Sequence, residues 1–442
     1  MHSPTPILKQ LDLFMKQNHI NLTTLARLTE VNAGTLSAIL NKNKVLTVDQ
    51  LDRLTSIMRL PEGYFYEQYI QEYLSQSLPH WRRFRPFLYR CAELDKLEYV
   101  TRVINLLMED LMYAPLLFDA AEELFHKNKR AAAALIFESV ANSEKHQHSE
   151  RLAFCQYRLF LIRLGTDQEK NYQAALHFEP YIERLDELDQ LDALKELLNA
   201  YRSLRRWDKV YDISKKLNEL AKIQYSLAHS PKREKQKFRK KTARPLFFYV
   251  AFSNLQIGSV HYEQEEYEAA LQIAYRAADL SWVRETDEEA LYWKSLFEEW
   301  TQANIYLTRL MAGDLEMLPE YVNFIASREK ELPTGLCNIM IAANRHNINV
   351  DHLLDKFKAE ISGLLEQEGN DLYSQHYTDN QVVGLLCELT DYYLSKGEYD
   401  IAFHYLSQWM NKSEEIKDDR SIVHYKRLYE HLRKLAEAKT KI

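Results

Sequence analysis

Residues Ile257–Leu271, IGSVHYEQEEYEAAL, decide how most of this chain is read. Ile257-Gly258-Ser259-Val260-His261-Tyr262 is followed by Glu266-Tyr267-Glu268-Ala269-Ala270-Leu271 and then Ala277, and the same order of residues returns twice. Tyr201 precedes Arg206-Trp207-Asp208-Lys209-Val210, and Tyr393 precedes Lys396-Gly397-Glu398-Tyr399-Asp400-Ile401-Ala402 and Leu406. In each copy an aromatic stands three residues before a small or β-branched one: Trp207/Val210, Tyr267/Ala270, Tyr399/Ala402. The aromatic fills the space between two paired helices, and the small residue lets them cross closely. Fainter copies carry Phe125 with Ala131, Ala134 and Ala141, and Tyr172 with Ala175.

Helix–turn–helix units of this kind resemble the tetratricopeptide repeat, about 34 residues long. The resemblance spans residues 115–442; a HEAT-like helical solenoid is the rival reading. Composition agrees, because 10 Gly and 11 Pro in 442 residues fall far below the usual share of about 12%. The fold expected is all-α: an N-terminal helix-turn-helix domain followed by a tetratricopeptide-like α-solenoid. The resemblance implies a concave groove lined by the first helix of each pair. Aligning Val210, Ala270 and Ala402 then names groove positions Lys195, Asn199 and Arg202; Leu255, Ser259 and Tyr262; and Cys387, Asp391 and Leu394. An Asn amide can bond both the N–H and the C=O of an extended peptide, and Lys195 with Arg202 could hold a carboxylate. The bland alternative is a solvated polar wall.

Residues 1–66 read differently. Ile7, Leu8, Leu11, Phe14 and Met15 recur at helical spacing up to about Asn18. Asn21 caps a helix from Leu22 to Thr29 with Leu25, Ala26 and Leu28 inward, and Glu30-Val31-Asn32 makes the turn. Asn32 caps a third helix, Ala33 to Leu40, with Leu36, Ile39 and Leu40 inward; Thr47 caps a fourth carrying Leu51, Leu54, Ile57 and Met58. The outer face of the third helix is then Ala33, Gly34, Thr35, Ser37 and Ala38, short enough to enter a major groove about 12 Å wide. Asn32, Thr35 and Ser37 could bond base edges or phosphates, and Asn41, Lys42, Asn43 and Lys44 could set register on the backbone.

Leu25-Ala26-Arg27-Leu28-Thr29-Glu30-Val31-Asn32-Ala33-Gly34-Thr35-Leu36-Ser37 resembles the Cro-type (XRE) helix-turn-helix, and Leu51-Asp52-Arg53-Leu54 with Leu60-Pro61-Glu62-Gly63-Tyr64-Phe65 extends the match. Two positions depart from that pattern. The turn glycine is Glu30, which has to tolerate or avoid a left-handed backbone, and the Gln that opens the second helix is Leu22. Charge is uneven: 7 Lys and Arg face 5 Asp and Glu in residues 1–66, while the whole chain carries −7. A helical connector, 67–114, rich in aromatics (Tyr69, Tyr73, Trp81, Phe84, Phe87, Tyr89), is expected to join the halves.

Chemistry is sparse. There is no Gly-rich phosphate loop, no HExxH, no GxSxG and no metal-spaced Cys/His cluster, so no catalysis, cofactor or metal is expected. His146 and His148 lack further ligands nearby. Cys91, Cys155, Cys337 and Cys387 are far apart and read as reduced core thiols. No signal pattern or apolar run of about 18 residues occurs, so a soluble, cytoplasmic protein without membrane contact is expected. His229–Pro245 holds eight basic residues and one acid, read as a solvated loop or as a further phosphate or acidic-partner contact.

The two halves together resemble the RRNPP family of peptide-sensing regulators. That resemblance implies a homodimer that binds double-stranded promoter DNA and takes a short signalling oligopeptide in the repeat groove. Two alternatives stay open: a Rap-like protein whose N-terminal bundle holds a protein partner, and a repeat scaffold without a small ligand.

Overall fold

The computed structural model describes residues 7–41, 44–75, 79–146, 149–230, 241–328, 331–364, 372–415 and 428–429. Among the described residues every regular element is a helix. The chain divides into two compact units, residues 1–163 with 180–185 and residues 164–179 with 186–442.

The first unit opens with α1 (Ile7–Gln17), α2 (Leu22–Thr29), α3 (Ala33–Leu40) and α4 (Val48–Ile57). Local hydrogen bonds start three of them where the caps predict. Asn21 Oδ1 accepts from the Thr24 N–H at 2.8 Å, and Asn32 Oδ1 accepts from the Gly34 N–H at 2.8 Å. Thr47 and Gln50 close a capping box at the start of α4. Each cap contributes about 1 kcal/mol. Leu25, Leu36, Ile39 and Leu51 are buried against one another, each worth about 1.5–3 kcal/mol.

Leu28 corrects the expectation that it faces inward, since 48% of it is exposed. The buried stripe of α2 runs instead through Leu25 and Thr29, four residues apart, with the Thr29 hydroxyl donating to the Leu25 carbonyl at 2.8 Å. Leu28 therefore falls on the outer side.

Glu30 adopts the left-handed conformation, φ 54°, and the Val31 N–H after it reaches the Ala26 carbonyl at 3.2 Å. This is a Schellman end, normally a glycine position. The side chain finds Arg53, whose Nη1 lies 3.1 Å from Oε2, but a pair this exposed is worth little. Glu30→Gly is thus expected to raise the stability of this unit by about 0.5–1 kcal/mol, read as a higher urea midpoint. An unchanged or lower midpoint would contradict a strained turn.

After α4 come α5 (Tyr66–Tyr69), continued by a π-helical turn over Ile70–Leu74, then α6 (Trp81–Glu93), α7 (Leu97–Leu107), α8 (Ala114–His126), α9 (Arg130–Ser143) and α10 (Glu150–Arg163). Their core is continuous with that of α1–α4, from Ile7 to Leu159. Asp52 of α4 is the polar link: it accepts from Arg90 Nε at 2.7 Å and from the hydroxyl of the fully buried Tyr66 at 2.9 Å.

The second unit holds α11 (Gln168–Phe178), α12 (Glu187–Ser203), α13 (Trp207–Ala228), α14 (Leu246–Glu263), α15 (Tyr267–Ala278), α16 (Glu288–Met311), α17 (Leu318–Ala326), α18 (Leu332–His346), α19 (Asp351–Lys356), α20 (Lys358–Leu364), α21 (Leu372–Ser395) and α22 (Tyr399–Glu415). Helix packs on following helix from α12 to α16, α18 packs on α21, and α21 also meets α12. Val210, Ala270 and Ala402 are all buried, as close crossing requires.

The three strongest repeats share one turn. Arg205, Glu265 and Gly397 have φ of 51°, 62° and 75°, and the N–H of the next residue bonds the carbonyl of Tyr201, His261 or Tyr393 at 2.8–3.0 Å. One glycine and two long side chains thus do the same job. Glu265 is braced from α18, where Arg345 Nη2 lies 2.6 Å from its carboxylate and the guanidinium covers the Tyr267 ring at 5.4 Å.

Candidate functional site

The α2–turn–α3 element presents Asn32, Gly34, Asn41 and Lys44 as exposed residues. Ala33, Thr35, Ser37 and Ala38 are half-buried, so the expected outer face is present but recessed. Lys42 and Asn43 lie outside the described residues. Asn32 spends its Oδ1 on the cap, which leaves its Nδ2 donor for an outside acceptor. A Cβ on Gly34 would meet that Oδ1 at 3.1 Å, so a glycine here keeps the cap uncrowded. Ser37 Oγ accepts from Asn41 Nδ2 at 3.5 Å, while the Thr35 hydroxyl has no partner among the described residues.

Lys44 and Arg27 are exposed and form no ion pair among the described residues. The nearby carboxylates Glu30 and Asp49 are both engaged by Arg53, at 3.1 Å each. Arg27 was not among the residues picked from sequence. Its signal was available: a basic side chain on the outer face of α2, five residues before the α3 cap.

In the second unit the groove positions fare unevenly. Lys195 is half-buried and paired with its neighbour Glu196, so it is not a ready anchor for a carboxylate. Asn199 and Arg202 are half-buried on the same helix, and Cys387, Asp391 and Leu394 are half-buried on α21. Burial pushes the Cys387 thiol up, and Asp391 adds to the shift. Leu255, Ser259 and Tyr262 come together at one cavity of about 50 Å³, between α14, α15 and α16. The α12 and α21 positions do not line it. Ser259 Oγ donates to the Leu255 carbonyl at 3.0 Å, and Tyr262 meets Tyr267 edge to face at 5.8 Å.

Asn254 and Asn304 are among the lining residues that escaped sequence reasoning. Asn304 stands on α16, outside the three clear repeat copies. Asn254 is tied into a buried polar seam, its Oδ1 accepting from Asn218 Nδ2 at 2.8 Å.

Glu263 ends α14 with its carboxyl pushed up by surrounding protein, against the pull of Arg205, although the side chain reaches the surface. A carboxyl raised in the folded state stabilises below its unfolded pKa, near 4.5, and that contribution is lost as pH rises through the folded value. Glu263→Gln is accordingly expected to flatten the fall in melting temperature over this window and leave acid stability unchanged. An unaltered pH profile would place Glu263 in water.

Among the described residues no group of three or more His, Cys, Asp or Glu could hold a metal ion, and no helix is long and apolar enough to cross a membrane. Cys91, Cys155 and Cys337 are buried free thiols.

No family model matches this chain, and no curated protein matches it. Among solved structures it is similar to the crystal structure of a Rap protein complexed with competence and sporulation factor, at 12% identity and a TM-score of 0.30, over 93% of this chain and 99% of that one. A likeness that faint carries no functional argument, which rests on the residues themselves.

Proposed function

We propose that this chain is a peptide-responsive transcriptional regulator: residues 1–66 read double-stranded promoter DNA, 67–114 connect, and 115–442 bind a short oligopeptide and form a homodimer. The observation that carries the reading is the capped α2–turn–α3 element, in which α3 is short and offers small polar side chains, with Lys44 and Arg27 beside it forming no ion pair among the described residues. Such a helix enters a major groove, Thr35, Ser37 and Asn32 meeting base edges or phosphates while Lys44 and Arg27 touch the backbone. A two-fold dimer places two such helices about 34 Å apart. A peptide bound among the repeats then acts by favouring one spacing, and linkage makes DNA and peptide alter each other's affinity equally.

A second reading has its own observation. Leu28, Ile57 and Tyr89 line a cleft of about 660 Å³ together with Glu30, Asp49 and Arg90, a surface suited to a protein partner. Fluorescence anisotropy on DNA from around the protein's own gene separates the two. The DNA reading expects binding whose log K falls linearly with log salt. Absence of binding at low salt overturns it in favour of the protein-binding reading.

A further inference from the structure

The cavity between α14, α15 and α16 exists because three alanines and a glycine stand where the helices face each other. Ala270, Ala274 and Ala277 are buried along α15, and Gly258 on α14 already approaches Ile273, to which an added Cβ would come within 3.3 Å. Leu255 and Tyr262 complete the apolar walls. No charged side chain lines the space. Asn304 also lines it, and its carboxamide has no hydrogen-bond partner among the described residues, so both its donor and its acceptor remain available.

The volume limits the occupant. A cavity of about 150 Å³ admits the six carbons of benzene, so one of about 50 Å³ admits about two or three. That fits a methyl or an isopropyl group and rejects a phenyl ring. Without a counter-charge an ionised side chain would lose its hydration uncompensated. The Asn304 amide suits a peptide backbone, which presents one N–H and one C=O per residue.

We infer that this cavity is a specificity pocket for one small aliphatic side chain, alanine- or valine-sized, of the oligopeptide, with Asn304 bonding the peptide backbone beside it. The inference rests on the peptide-binding reading above and specifies which peptides that site takes. Leu255, Ser259 and Tyr262, named from repeat register, line it from α14, and Ile273 lines it from α15 beside Gly258.

Labelled positional-scanning pools of short synthetic peptides test it on the full chain by fluorescence anisotropy. The expected result is that the tightest pools share Ala or Val at one position. Ala274→Leu, which fills the cavity, should weaken those pools at least tenfold. Ile273→Ala, which enlarges it, should move the preference at that position to Leu or Met, a gain that misfolding cannot imitate. Pools that bind the unmodified chain but keep their ranking in Ile273→Ala overturn the pocket and leave peptide sensing intact. If no pool binds the unmodified chain, the peptide reading and the pocket fall together.

Discussion

Thr35→Asp is expected to weaken DNA binding at least 100-fold while the protein stays folded. The substitution removes a hydroxyl that has no partner among the described residues and, in the DNA reading, sets a carboxylate facing phosphates. One lost base contact costs about 1–3 kcal/mol, and like-charge repulsion across a recessed groove adds to it. About 2.7 kcal/mol corresponds to 100-fold. Thr35 is the third residue of α3, where a negative side chain favours the helix macrodipole by about 0.3–1 kcal/mol. The same change should therefore leave the melting temperature level or slightly raised. That opposition makes the result decisive, because an affinity loss cannot be blamed on unfolding. Thr35→Val, which keeps the shape without the hydroxyl, should fall between the two. Equal affinity for all three proteins would remove α3 from the DNA interface.

The second large effect is structural. Asp52→Ala is expected to destabilise the first unit by about 2–4 kcal/mol, seen as an early transition in urea followed by tryptophan fluorescence. Asp52 accepts from Arg90 at 2.7 Å and from Tyr66 at 2.9 Å, and its own side chain is 18% exposed. Removing it leaves a fully buried phenol without an acceptor and a guanidinium holding only the more exposed Glu62 and Glu93, both at 3.3 Å. Burial and Asp52 together hold the Tyr66 hydroxyl protonated far above the usual tyrosine range, so ionisation offers no escape. Tyr66→Phe in the Asp52→Ala background should restore part of the loss, because it removes the orphaned donor. A single unshifted transition would show that Asp52 contributes no more than a surface charge.

The two predictions also differ in how early they could be made. Thr35 was legible in the residues alone. The caps Asn21, Asn32 and Thr47 sit where helical spacing begins, and each works through hydrogen bonds two or three residues long. The paired aromatic and small residues at Trp207/Val210, Tyr267/Ala270 and Tyr399/Ala402 likewise mark helix starts within one turn. The all-α class, the capped starts of α2, α3 and α4 and the paired helices of the three clear repeats followed from such short-range terms.

What could not be read locally depended on what stands opposite. Leu28 looked like a core residue by hydrophobicity, but Thr29 was the buried one, because the stripe of α2 is set by where α3 and α4 lie. Glu30 could avoid or accept a left-handed backbone, and closure of α2 onto Val31 decided that it accepts. The cavity of about 50 Å³ draws its walls from three helices and one of its amides from Asn304, a residue outside the three clear repeat copies. Helix ends are determined by neighbours in sequence, whose contacts any chain of this composition can make alone. A cavity is determined by small residues that leave space across a helix crossing, and no segment on its own contains the crossing.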